Sequence, residues 1–353
     1  MTIPLLQPSV SQAEIDAVTE VLKSKWWGMG KVVEQFEVEM AARYGYKYCV
    51  TTNSATAALH LSMIVLGVGP GDEVIVPSLT FISTGLAPLY VGATVVLADV
   101  RQDTLCIDWE DVSLLVTDKT KAIIPVDYAG YSAASRMHYP DKLSEIPIVQ
   151  DAAHSCGGKG YGNLVCLSFH AVKNLAMGDG GAVLTNNDAC NRRLRSLRWC
   201  GIDKSTWERS EKRYGWDYNI EEIGLKYHLN DIQAAIGLAQ LHRLDAMNNR
   251  RRDIAHRYIQ ELYGLVELPK DMPGHTWHLF SIRVDNRDKL IDALLAQDIS
   301  AGVHYKPLNH YPMFSGETPV VEHEWKRLVT LPMFPDMTGE QQEKVIKVLK
   351  ANV

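Results

Sequence analysis

The sequence predicts an α/β fold: a mostly parallel sheet of about seven strands, sandwiched by helices, with a smaller C-terminal α/β domain. Three observations carry this prediction. From about Tyr48 to Thr185, short apolar runs alternate with helical stretches. Those runs are apolar at successive positions, as in strands covered on both faces rather than one. After about Arg195 the chain becomes mostly helical, and a second, shorter strand-and-helix pattern follows. A chain of 353 residues is too long for one ordinary core. It divides into a large domain over 1–240, including two N-terminal helices, and a small domain over 241–353.

The elements follow in order. Ser11 opens S-Q-A-E, a capping box with Glu14 at the third helical position, and Ile15, Val18, Val21 and Leu22 continue at helical spacing. The W-W-G-M-G segment, Trp26 to Gly30, breaks that helix, and a second helix runs from about Val32 to Tyr44. Strands are expected at Tyr48–Val50, Glu73–Val76, Thr94–Leu97, Ala122–Val126, Ile146–Val149, Val165–Phe169 and Ala182–Thr185, with a helix from about Thr56. Asp231 to Met247 is amphipathic and continues to about Leu262. In the small domain, Leu279–Val284 reads as a strand, and Arg287–Gln297 and Gly339–Leu349 read as helices.

Apolar residues make up 46% and charged residues 22%, the balance of a soluble globular protein. The net charge of −6 and the lack of a long basic run argue against a nucleic-acid partner. Arg250, Arg251 and Arg252 lie in helical sequence and are expected on a solvated face or in an ion-pair network. The six cysteines, Cys49, Cys106, Cys156, Cys166, Cys190 and Cys200, form no C-x-x-C pair. Buried free thiols are expected, with no metal site. Trp199 and Cys200 are read as core. Met1-Thr2-Ile3-Pro4 lacks a charged segment leading into an apolar run, and no stretch approaches the roughly 20 apolar residues of a membrane span. The expected location is the cytoplasm, away from membranes.

Four segments hold the candidate chemistry. Asp151 ends the strand in I-V-Q-D-A-A-H, and ligands of open α/β sheets sit at the carboxyl ends of strands. A carboxylate there serves as a metal ligand, a helix cap or a partner for a cationic ring. Lys173 follows another strand, in S-F-H-A-V-K-N, and precedes a turn containing Gly178, Gly180 and Gly181. A lysine in that position is ordinarily solvated, but one held in a packed turn is partly desolvated, which lowers its pKa and favours Schiff-base chemistry. In N-S-A-T-A-A-L-H-L a strand gives way to a helix, so Ser54, Ala55 and Thr56 either cap that helix or offer amides and hydroxyls to a phosphate. Phe81, in P-S-L-T-F-I-S-T, is either core or a stacking surface for an aromatic cofactor.

In this order (phosphate-type turn, aromatic, Asp151, then Lys173 about 22 residues on) the segments resemble fold-type I pyridoxal-phosphate enzymes. The wording is closer still to the DegT/DnrJ/EryC1/StrS aminotransferase family. F-E-V-E-M-A-A-R-Y-G, S-A-T-A-A-L, G-D-E-V-I-V-P-S-L-T-F, D-A-A-H, S-F-H-A-V-K-N, G-D-G-G-A-V-L-T-N, I-Q-A-A-I-G-L-A-Q-L, H-Y-K-P-L and L-P-M-F-P-D-M-T carry this resemblance over almost the whole chain.

The resemblance implies that Lys173 bears pyridoxal phosphate as a Schiff base and moves the proton, and that Asp151 pairs with the pyridine nitrogen. It places Phe81 and His154 against the ring, and Ser54, Ala55, Thr56 and Ser168 around the phosphate. It further implies a homodimer with shared active sites, L-glutamate as amino donor, and as acceptor a keto sugar linked to a nucleotide, with a 4-keto-6-deoxyhexose preferred. Trp26, Trp27 and Met29 in the entry region and His304-Tyr305 are candidates for the substrate side; ordinary loop packing is the alternative for each. Relatives carrying His in place of this lysine act as sugar dehydratases, which Lys173 argues against.

Two departures stand out. Ala55 replaces the Gly common at the phosphate turn, and alanine still offers its amide where φ is negative. Gly224-Leu225-Lys226-Tyr227-His228 replaces a G-Y-N-Y-R segment whose Asn reaches the partner's phosphate. Lys226 is left to bind that phosphate, to meet the substrate's diphosphate or to face solvent. Competing functions are amination of a non-sugar ketone, 3-amination of a sugar, and a regulatory or binding protein retaining the fold. A dinucleotide-binding dehydrogenase would need a G-x-G-x-x-G turn after the first strand, which is absent.

Overall fold

The computed structural model describes residues 2–134, 143, 145–202 and 216–353. Its sheet contains β1 (Tyr48–Thr52), β2 (Glu73–Pro77), β3 (Thr94–Ala98), β4 (Thr120–Ile123), β5 (Val149–Asp151), β6 (Leu164–Ser168) and β7 (Gly181–Thr185). The order is β3-β2-β4-β5-β6-β7-β1. Parallel bridges from Ile123 to Ile148 and from Val126 to Asp151 join its two halves. Among these strands β7 alone runs opposite to the rest, pairing antiparallel with β1 and β6. The expected mostly parallel seven-stranded sheet is therefore present. The run expected at Ile146–Val149 enters the sheet later, as β5, because Pro147 carries no N–H for a ladder.

Alternation along the strands explains why apolar residues occupy successive positions. Val50, Cys166 and Val183 face one core with Leu59, Leu61, Val74 and Val76. Their neighbours Cys49, Val165, Leu167 and Leu184 face the other, with Phe36, Met40 and Leu244. Helices α1 (Gln12–Ser24), α2 (Lys31–Tyr44), α3 (Ala55–Val65), α4 (Ile82–Tyr90), α5 (Trp109–Leu115), α6 (Asp188–Leu197) and α7 (Asp231–Leu262) accompany the sheet.

The capping box at Ser11 forms: Glu14 Oε2 accepts from Ser11 N at 2.8 Å and Ser11 Oγ accepts from Ala13 N. Helix α2 has no side-chain cap of its own. Asp231, at the start of α7, supplies one, its Oδ1 accepting from Gly30 N at 2.8 Å and Val33 N at 3.1 Å. A Cβ on Gly30 would lie 2.4 Å from Trp26 Nε1 and 2.8 Å from Asp231 Oδ2, so this cap needs glycine there. Glu37 of α2 is buried and accepts from Arg195 at 2.8 Å, from Arg198, and from Thr51 N at 2.9 Å. Burial alone would raise its pKa; the two guanidiniums and the amide outweigh that and hold it at about 2.

The small C-terminal part pairs β8 (Phe280–Arg283) antiparallel with β9 (Leu328–Leu331) and adds α8 (Arg287–Leu295), α9 (Pro319–Glu324) and α10 (Gly339–Asn352). Its core joins Ile254, Tyr258 and Leu262 of α7 to Phe280, Ile282, Val329, Leu331, Val345 and Leu349. Ile3, bridged to Ile299, packs there too. Helix α7 thus contributes Ala234, Leu241 and Leu244 to one core and its last three turns to another.

Two expectations need correction. Arg251 is buried rather than solvated: it is 1% exposed, and its guanidinium donates to the Met333 carbonyl at 3.2 Å. Arg250 and Arg252 flank it on less buried faces, so the arginine run straddles the helix boundary with the small core. Cys200 is exposed rather than core, because the backbone turns there at φ 57 and enters Gly201. Trp199 beside it is half-buried. Cys49, Cys106, Cys156 and Cys166 are buried free thiols.

Candidate active site

The parallel strands point their carboxyl ends to one edge, where the turns after β2, β5 and β6 meet Thr276, His278 and Tyr305 of the small part and the turn after β1 joins that after β2. At the first turn, Ser54 caps α3, its Oγ accepting from Ala57 N at 3.1 Å. The amides of Ala55 and Thr56 fall in the first helical turn, which has no intrahelical acceptor. Ser54 and Ala55 lie directly over β7: a Cβ on Gly181 would sit 2.5 Å from the Ser54 carbonyl and 2.6 Å from Ala55 N. Gly181→Ala is expected to cost about 1–3 kcal/mol through this backbone clash, read as a lower urea midpoint. Ser168, paired with Gly181 across the sheet, is buried; its Oγ accepts from His170 N at 3.4 Å, leaving its proton to donate. Thr56 Oγ1 meets Ser83 Oγ at 2.7 Å, so the N-termini of α3 and α4 converge.

Phe81 precedes α4 and is 55% exposed, which rules out the core alternative. Its ring lies 5.8 Å from that of Tyr305. Asp151 is buried. Its Oδ2 accepts from Thr84 Oγ1 at 2.8 Å and its Oδ1 from Ala153 N at 3.1 Å. Thr84 in turn contacts Thr80 at 2.7 Å. Burial raises the Asp151 pKa, opposed by Thr84, Ala153 and the charge of Lys173. Lys173 keeps part of its surface open to the cleft. Burial lowers its pKa to about 8 against the pull of Asp151. A buried carboxylate with lone pairs to spare, a poised amine, an open aromatic face and a helix N-terminus are what a cationic heteroaromatic phosphate requires.

His154 is buried, and its tautomer follows from its partners. Ala129 N donates to its Nδ1 at 3.3 Å, so Nε2 carries the hydrogen that meets Tyr305 Oη at 2.8 Å. Tyr305 accepts there, and its own proton is free for the cleft. Burial, and then Lys173, push the His154 pKa far below its ordinary value, so the ring is neutral. His304 is held by Thr330 Oγ1 at 2.9 Å, and its carbonyl accepts from Tyr128 Oη.

The profile of the DegT/DnrJ/EryC1/StrS aminotransferase family matches residues 8–350. The chain belongs to that family. Solved structures agree. A Streptococcus pneumoniae protein assigned as a sugar aminotransferase, in its pyridoxamine-phosphate form, is 30% identical with a TM-score of 0.90, over 99% of this chain and 98% of that one. It is also solved in its pyridoxal-phosphate form. DesV of S. venezuelae, solved with a ketimine intermediate, is 33% identical with a TM-score of 0.84, over 96% of this chain and 93% of that one. CalS13 of Micromonospora echinospora, a sugar aminotransferase, is 27% identical with a TM-score of 0.88, over 99% of this chain and 100% of that one. The protein is a pyridoxal-phosphate-dependent aminotransferase of fold type I.

Of the aminotransferase's remaining candidates, Trp27 is exposed and donates to the Leu22 carbonyl at 3.3 Å, while Met29 is buried with Val33 and Phe36. Trp26 donates to the Met29 carbonyl at 3.4 Å. Lys226 is exposed with its ammonium 3.4 Å from the centre of the Trp199 ring. The next carbonyl, of Tyr227, accepts from Asn53 N at 2.6 Å, so this segment borders the first turn. Sequence reasoning missed Thr84, Asn174 and His278. Thr84 stood in a segment already singled out, three residues after Phe81. His278 precedes β8 and touches Lys173 from 105 residues away, a proximity with no local signal. Among the described residues, no helix is long and apolar enough to cross a membrane.

Proposed function

We propose that this aminotransferase moves an amino group from L-glutamate to a nucleotide-linked keto sugar, with a 4-keto-6-deoxyhexose as the preferred acceptor. When bound, pyridoxal phosphate supplies an aldehyde that condenses with amines and a ring that withdraws electrons from the adjoining carbon. The observation that carries the amine chemistry is that Lys173, 3.3 Å from His278 Nε2, and the buried Asp151, held by Thr84 and Ala153, follow neighbouring strands at the same end of the sheet; the sugar acceptor rests on the likeness to sugar aminotransferases.

In this reading Lys173 Nζ would be the amine that holds the cofactor through its aldehyde and gives way to the donor's amine. The Lys173 amine, once free, would act as the base and acid that moves a proton on the substrate side of the cleft in both half-reactions. Asp151, braced by Thr84 and Ala153, would hold a proton on the ring nitrogen. Phe81, with its exposed ring, and His154 would hold the cofactor's aromatic ring. The amides of Ala55 and Thr56, with the hydroxyls of Ser54, Thr56 and Ser168, receive the phosphate. Tyr305, its proton left free by His154, donates to the substrate. Trp27, Met29 and His304 shape the entry.

The active form in this reading is a homodimer that shares its sites, with Lys226 reaching the partner's cleft. Exposed Ile220 and Ile223, the latter 94% exposed, lie in the same segment as Lys226 and would be covered by a second copy. Incubation with L-glutamate should convert the bound cofactor to its amino form, and a set of dTDP-, GDP- and UDP-linked keto sugars should return it. Conversion by glutamate with no return from any such sugar would move the acceptor to a non-sugar ketone. An active monomer in light scattering would remove the shared site.

A further inference from the structure

We propose that His278 is the positioning residue for Lys173: its Nε2 accepts a hydrogen from the free lysine amine and so aims the amine's lone pair. This rests on Lys173 being the residue that leaves and rejoins the cofactor. Lys173 Nζ lies 3.3 Å from His278 Nε2. The direction of that hydrogen bond is fixed two residues away. Asn174 Nδ2 donates to the Thr276 carbonyl at 2.8 Å, and a carbonyl only accepts, so the amide orientation is settled. Its other hydrogen goes to Asn248 Oδ1 at 2.8 Å. Asn174 Oδ1 therefore faces His278 Nδ1, at 3.1 Å, and that nitrogen must carry the hydrogen.

The ring is 1% exposed and stays neutral, burial and then Lys173 holding its pKa far below the ordinary value. Its Nε2 thus offers Lys173 a lone pair and nothing else. The other groups whose charge bears on Lys173 are Asp151, His154 and His304. Asp151 takes Thr84 and Ala153, His154 takes Ala129 and Tyr305, and His304 takes Thr330. A neutral amine has two hydrogens and one lone pair. Giving one hydrogen to a fixed acceptor removes most of the rotation about its last bond, and the lone pair points away from His278. Ala129, in the large part of the chain, holds this ring in register, since its carbonyl accepts from His278 N at 3.0 Å.

The test uses two polar variants. In His278→Gln the longer amide can present its oxygen to Lys173 and its NH2 to Asn174; in His278→Asn it falls short of the lysine. On the apoprotein, trace acetylation of the Lys173 peptide is followed by mass spectrometry against pH. An ammonium that loses its acceptor is easier to deprotonate. The Asn variant is therefore expected to titrate about one pH unit below wild type, a tenfold change in proton affinity, with the Gln variant close to wild type. On the holoenzyme, the single-turnover rate with saturating glutamate should fall roughly 10–100-fold in His278→Asn with little change in half-saturation, and recover in His278→Gln. The proposal is overturned if the two variants behave alike in both measurements, or if His278→Asn stays within about twofold of wild type. Failure of the cofactor to attach to Lys173 would instead sink the assignment above, and the apoprotein titration would still report on His278.

Discussion

Lys173→Ala is expected to lower amine transfer by about 10³-fold or more. The substitution removes both the covalent anchor and the base, and no other described side chain presents an amine at that point. The pKa of about 8 adds a signature in the wild type. Only the neutral amine attacks an aldehyde, so capture of pyridoxal phosphate by the apoprotein should speed up as pH rises through about 8 and level off above it. At pH 6 roughly one-hundredth of Lys173 is neutral, and at pH 8 about half, against a few per thousand for an ordinary lysine. Rapid mixing of apoprotein with the cofactor between pH 6 and 9 measures this. A rate still climbing at pH 9 would mean that the lysine is not desolvated as described.

Asp151→Asn has the second largest expected effect, a loss of about 10²–10³-fold in the single-turnover rate with glutamate. The amide keeps the volume and can still receive the Ala153 amide, but it cannot hold a proton on a ring nitrogen. Burial already works against the Asp151 charge. The uncharged residue should therefore fold at least as well, with an unchanged or higher melting temperature for the apoprotein. Activity lost together with stability would point to a packing role instead.

The sheet was legible because its strands carry apolar residues at successive positions, as a doubly covered sheet requires; Cys49 and Val50, facing opposite cores, show it in two residues. The Ser11 cap was legible because both its partners are local. Helix α2's cap was not, since Asp231 arrives from 201 residues away. Helix α9 and β9 escaped notice because Leu328–Leu331 is only four residues long and is followed directly by Pro332. In the site, Asp151, Lys173 and Phe81 were marked by their places after strands. Thr84, Asn174 and His278 earn their roles through hydrogen bonds across the fold, and no spacing announces those. Arg251 and Cys200 went the other way: composition placed one outside and one inside, and the direction of the helix face and one turn of backbone reversed both.

The most direct measurement is the absorption spectrum of the purified protein with pyridoxal phosphate, followed by borohydride reduction and mass analysis of its peptides. The expected result is a visible band that L-glutamate abolishes, and after reduction a single phosphopyridoxyl group on the peptide containing Lys173. No band with added cofactor, or a label on a different lysine, would contradict the assignment of Lys173 on which the site and its chemistry rest.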